Sequence, residues 1–143
     1  MAKISILVAS ATLLFFGLLH LHGTFFSTDL HPEDIDLVIK LKSSNIQMDA
    51  SGNLWKLWIG FNAMFSAGLI FMGSINLYLS AKKFQHLTDL PFILLLTIAS
   101  NAFFVWVGYQ YIITDFVISM TVPLVLFVTG FTLIQVKLYK RVK

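Results

Sequence analysis

The chain of 143 residues contains no cysteine. That absence excludes disulfide bridges, thiolate nucleophiles, Cys-ligated iron–sulfur clusters and c-type haem attachment. Charge is also scarce. Asp, Glu, Lys and Arg make up 12% of the residues, about half the share of an average soluble domain. There is no paired carboxylate, no Glu-x-x-His, no Gly-rich phosphate loop and no nucleophile–base constellation. The net charge of +3 gives no nucleic-acid signal, because the basic residues flank oily segments, where membrane proteins keep them.

What the chain has instead is apolar surface: 57% hydrophobic residues, with 14 phenylalanines. Four long apolar runs cover about 4–22, 54–79, 90–113 and 116–136, separated by an outer loop at 23–53 and by two short connections. A hydrocarbon core ~30 Å thick needs roughly 20 helical residues, so each run is long enough to span it. Helices are expected because they satisfy their own backbone in lipid. None of the runs carries an acid or base in its deep part, where ion and proton pumps keep theirs. The expected fold is therefore all-α: one integral membrane domain, 1–143, forming a four-helix bundle. The first run ends in LLHLHG rather than a small-residue cleavage site, so it reads as a retained helix and not a signal peptide.

Charge fixes the expected orientation. Lys3, Lys82, Lys83, Lys137, Lys140, Arg141 and Lys143 share one side with a single acid, Asp89. The other side holds Asp29, Glu33, Asp34, Asp36, Asp49 and Asp115 against Lys40, Lys42 and Lys56. The positive-inside rule puts both termini in the cytoplasm, as four crossings require. In the outer loop, Asp29 or His31 would cap a short helix that begins at Pro32, with Glu33 and Asp34 in its first turn. Ile35, Val38 and Ile39 share one face of it, so it would lie along the outer membrane face or over the bundle mouth, ending at Ser43-Ser44-Asn45. Asp49, Ser51 or Asn53 would cap the second span, and an Ile113-Thr114-Asp115 turn would join the last two spans.

The polar residues inside the runs supply the candidate site. Asn62, Ser66, Leu69, Gly73 and Asn76 fall on one helical stripe, beside a strip of small residues at Gly60, Ala63 and Ala67. The stripe reads as a packing seam or as the wall of a ligand cavity. Ser10, Leu13, Gly17 and His20 repeat the pattern in the first span. His20 and Asn62 have similar depths, so they can hydrogen-bond if their faces meet. His20 is thus the candidate acid/base, while His22 faces elsewhere and the pair is not a helical metal site. No metal ligand set is assigned, even counting His31. Thr97, Asn101, Phe104 and Gly108 form a face of the third span, and Asn101 lies near the bilayer centre, where an unpaired amide is costly. Trp106, Tyr109, Gln110 and Tyr111 reach the outer boundary with Trp55, Lys56 and Trp58, as an aromatic belt does. The candidate ligand-binding set is Asn62, Ser66, Asn101, Trp106 and Gln110. In the fourth span Pro123 is expected to kink the helix and free the Ser119 carbonyl, and Thr121, Val125, Val128, Thr132 and Gln135 form a mild polar stripe.

The segments HLHGTF (20–25) and LWKLWIGFNAMFSAGLIFMGSINLYL (54–79), with Lys82-Lys83 and the final helical hairpin, resemble a small bacterial membrane-protein family, DoxX-like in the broad sense. The resemblance implies an accessory or structural subunit of a membrane complex, since some DoxX-like proteins accompany quinone-linked redox enzymes as small subunits. The residues leave two other classes open: a binding or transport module for a lipid, quinone or other apolar molecule, and a membrane enzyme that uses His20. Membrane lipids and a hetero-complex or homo-oligomer are the expected partners. No cofactor is specified by the sequence.

Overall fold

The computed structural model describes residues 1–112 and 114–142, with the backbone alone at positions 50, 141 and 142. The chain is helical apart from one small hairpin, in the order α1 (Ala2–Phe26), α2 (Ile35–Ser43), β1 (Asn45–Ile46), β2 (Asp49–Asn53), α3 (Leu54–Lys82), α4 (Phe84–Asp89), α5 (Pro91–Tyr111) and α6 (Thr114–Val142). Among the described residues, α1, α3, α5 and α6 are long and apolar enough to cross a membrane. Even α5, with 21 residues, reaches ~31 Å at helical rise. This is an all-α protein whose several long apolar helices fit a multi-span membrane bundle. The residues group into two compact units, Phe16–Leu69 and the remainder, Met1–Phe15 with Ile70–Lys143.

α1, α3 and α6 are longer than the apolar runs alone predict, while α5 is slightly shorter, 91–111 against 90–113. α1 continues through Gly23 to Phe26, helped by the Thr24 hydroxyl, which donates to the His20 carbonyl one turn back (2.8 Å). α3 continues past Leu79 to Lys82, with Ser80 buried. α4 was not foreseen; it is a single short element anchored by buried Leu87. Pro91 occupies the start of α5, where its missing N–H costs nothing. Thr114 and Asp115 are helical and open α6, so they do not form the expected turn, whose first residue, Ile113, lies outside the described residues.

In the unit Phe16–Leu69, α2 starts three residues later than expected. Asp34 is the cap: its Oδ1 accepts from Asp36 N–H (2.8 Å) and Leu37 N–H (3.3 Å). Pro32 and Glu33 therefore stay in the loop, and neither Asp29 nor His31 caps the helix. Lys40 and Lys42 close its last turn, favourable to the helix dipole. No residue of α2 is buried, which leaves Ile35 and Ile39 bare, as an interfacial helix leaves its apolar side. The following segment pairs Asn45 with Asn53 and Ile46 with Asp49 in an irregular antiparallel hairpin. Asn53 then caps α3, its Oδ1 accepting from Lys56 N–H (2.8 Å). Asp49 serves the hairpin instead, accepting from both the N–H (2.8 Å) and the hydroxyl (2.7 Å) of Ser51.

In the other unit the helices meet through glycines. A Cβ on Gly73 would stand 2.6 Å from the backbone nitrogen of Leu14 in α1. One on Gly130 would stand 2.5 Å from the Ile6 side chain, and one on Gly108 would strike the Phe116 ring. Gly60 has nothing within 4 Å of such a Cβ and Ala67 is exposed. The small-residue strip expected at Gly60, Ala63 and Ala67 is therefore not where α3 packs closely; the neighbouring stripe is, with Ser66, Leu69, Gly73 and Asn76 buried and Asn62 half-buried.

Candidate functional site

The unit Phe16–Leu69 holds the pairing of His20 with Asn62. His20 Nε2 lies 2.9 Å from Asn62 Oδ1. Asn62 spends its Nδ2 on the Trp58 carbonyl (2.8 Å), so its Oδ1 faces His20 as an acceptor. His20 must then carry a proton on Nε2, leaving Nδ1 as the basic nitrogen of the neutral ring. The Phe65 ring meets the imidazole edge-on at 5.2 Å. Ser66, buried, donates its hydroxyl to the Asn62 carbonyl (2.8 Å). The arrangement can orient a base and fix its tautomer, but His20 and Asn62 do not line the groove beside them. That groove, about 580 Å³, is bordered by Thr24, Phe25, Phe26, His31, Trp55 and Ile59 among others.

His31 is the residue whose surroundings the sequence did not suggest. Its ring stands edge-on to Trp55 (4.8 Å) and Trp58 (5.9 Å), which stack on each other at 5.3 Å. Lys42 Nζ sits 5.1 Å from the centre of the Trp55 ring, within cation–π range. No short-range pattern links position 31 with 55 and 58; the loop brings them together. His22 packs against Phe26 at 5.5 Å.

Asn101 belongs to the other unit, where it is fully buried. In the orientation its neighbours require, Nδ2 donates to the Met120 carbonyl (3.3 Å) and Oδ1 accepts from Leu124 N–H (3.0 Å). Pro123 lies between those two residues of α6. Proline removes one ladder bond and crowds the carbonyl four residues back; Asn101 holds the helix beside that interruption. Asn76, also fully buried, donates Nδ2 to the Met72 carbonyl and to Thr97 Oγ1, both at 2.9 Å. Thr97 in turn donates to the Ile93 carbonyl (2.9 Å). Asn76 Oδ1 and Ser80 Oγ are buried without a hydrogen-bond partner among the described residues.

Trp106 and Gln110 are exposed on α5; Trp106 packs against Phe103 (5.7 Å) and Tyr111 (6.2 Å). Of the five candidate ligand-binding residues, the structure brings Asn62 and Ser66 together. The polar stripe expected on α6 does not face inward. Val125, Val128 and Thr132 are exposed, while Met120, Pro123, Phe127, Gly130 and Ile134 form the buried face. Thr121, Thr129 and Thr132 each return their hydroxyls to the carbonyl four residues back, at 2.7–2.9 Å, which lets them sit against lipid without an unsatisfied group.

Outside the spans, Ser51's hydroxyl holds the Asp49 carboxyl below the ordinary carboxylate range, with the Ser51 N–H adding to the effect. Among the described residues no group of three or more His, Asp or Glu side chains is placed to hold a metal ion. Against protein families, curated proteins and solved structures the chain finds no match, so what stands is a multi-span α-helical membrane protein.

Proposed function

We propose that this protein is a non-catalytic subunit of a membrane complex, its intramembrane polar residues holding helices rather than processing a substrate. One observation carries the reading: the three asparagines inside the spans, Asn62, Asn76 and Asn101, each spend their amides on the protein itself, with Asn76 Oδ1 the one end left over among the described residues. Asn62 binds His20 and Trp58, Asn76 binds Met72 and Thr97, and Asn101 binds the α6 backbone through both ends of its amide. A catalytic or transport site needs such groups free to face a substrate. The resemblance of the 20–25 and 54–79 segments to a family DoxX-like in the broad sense, some of whose members accompany redox enzymes as small subunits, points to the same role. So does the absence of His20 and Asn62 from the lining of the neighbouring groove.

The test is native mass spectrometry on protein extracted gently from its own membrane. A stable hetero-complex is expected. A lone chain or homo-oligomer holding a defined small molecule would overturn the proposal in favour of a second reading, a binding module for an apolar or amphipathic molecule. That second reading draws on the aromatic groove beside His31 and Trp55, which the hydroxyl-bearing Ser27 and Thr28 also line.

A further inference from the structure

At the lysine-rich end of the chain a groove of about 580 Å³ lies among the start of α1, α4 and the last third of α6. Its floor is apolar, with Phe84, Leu133 and Leu138; its polar margin carries Lys3, Lys137 and Gln85. Leu133 and Lys137 are one helical turn apart on α6, which sets an apolar patch directly below a cation. Lys3 is held in place by its own contact: Nζ donates to the Ala81 carbonyl in the last turn of α3 (3.3 Å). An ammonium has three donors, so the remaining two are left for an anion. Among the described residues no carboxylate lines the groove. Asp89, the acid at this end, is exposed beside Thr88.

We propose that this groove binds one anionic phospholipid, with the phosphate between Lys3 and Lys137 and an acyl chain along Phe84, Leu133 and Leu138. The charge selects an anion, and the oily floor selects one that carries a hydrocarbon tail rather than free phosphate. The position fits as well. α1 and α3 are membrane-length helices that begin and end here, at the depth where headgroups lie and where clustered lysines attract anionic lipid. This inference does not rest on the subunit role proposed above.

Purified protein in a neutral detergent, offered phosphatidylglycerol or phosphatidylcholine of identical chains, tests it by native mass spectrometry. Wild-type protein is expected to retain one phosphatidylglycerol with about thirtyfold preference, the scale of two surface lysines. The Lys3→Gln/Lys137→Gln variant is expected to lose that preference, and Lys82→Gln/Lys83→Gln, which removes charge from the same end but outside the groove, to keep it. Leu133→Trp retains both lysines and fills the floor; it is expected to lose the bound lipid. Equal retention of the two lipids by wild type, an undiminished preference in the Lys3/Lys137 variant, lipid held as before by Leu133→Trp, or full displacement by millimolar inorganic phosphate would each overturn the proposal.

Discussion

His20 and Asn62 meet in a 2.9 Å hydrogen bond whose direction is set from the far side of the amide, where Asn62 donates to the Trp58 carbonyl. The bond fixes the imidazole tautomer. Nitrogen-15 spectra of the neutral ring should show the proton on Nε2 and a bare Nδ1. Asn62→Leu should release the tautomer preference and cost about 1–2 kcal/mol in stability. A ring protonated at Nδ1 in the wild type would refute the assignment.

Gly73 faces the Leu14 backbone so closely that a methyl group would sit 2.6 Å from its nitrogen. Gly73→Ala should therefore separate α1 from α3 locally and destabilise by ~1–3 kcal/mol, the usual cost of overpacking. Gly60 and Gly68 have open space at the same position. Their alanine variants should be unchanged or more stable by up to ~1 kcal/mol. Thermal unfolding in one detergent compares all three, and equal melting temperatures would show that Gly73 is not a point of close packing.

Ser80 buries a hydroxyl without a partner among the described residues. Removing an unsatisfied buried group is favourable, so Ser80→Ala should raise stability by up to about 1 kcal/mol. Asn76→Leu should do the reverse, because it leaves Thr97 without the amide at 2.9 Å. A loss of stability in Ser80→Ala would mean that its hydroxyl is engaged in solution, and the pair of measurements separates the two cases.

The hairpin at 45–53 should respond to acid. Its Asp49 carboxylate accepts two bonds from Ser51, which lowers its pKa in the folded state. A lowered folded pKa contributes stability that is present above the unfolded value, about 4, and is lost as pH falls through the folded value. The Ser51 amide resonance should hold its position from neutral pH down to about 4 and shift below it. Asp49→Asn should remove that transition; a transition that persists would assign it to another carboxylate.

The four membrane-length helices could be read from sequence because hydrophobicity over twenty residues is a local property. The α3 stripe was legible for a related reason: small and polar side chains at spacings of three and four share a face whatever they touch. Asn53 as the cap of α3 was among the expected choices. The start of α2 was misread because Asp29, His31 and Asp34 are all competent caps, and only the bonds from Asp34 to Asp36 and Leu37 decide among them. The hairpin escaped because Gln47-Met48 carries no turn signature and Asp49–Asn53 no alternation. On α6 the mild polar stripe could be seen in the spacing, but its hydroxyls close on their own helix, so the spacing does not say which way it faces. The partner of Asn101 was illegible for a deeper reason. Proline marks where a helix loses a bond, but not which neighbouring side chain will lie beside the gap.

The clamp of Asn101 on Met120 and Leu124 also constrains how the protein is made. A lone amide in hydrocarbon costs several kcal/mol, so α5 released singly into the bilayer would carry that penalty until α6 arrived. With α6 beginning at Thr114, close behind the end of α5 at Tyr111, the two are suited to leave the insertion machinery together as a preformed helical hairpin.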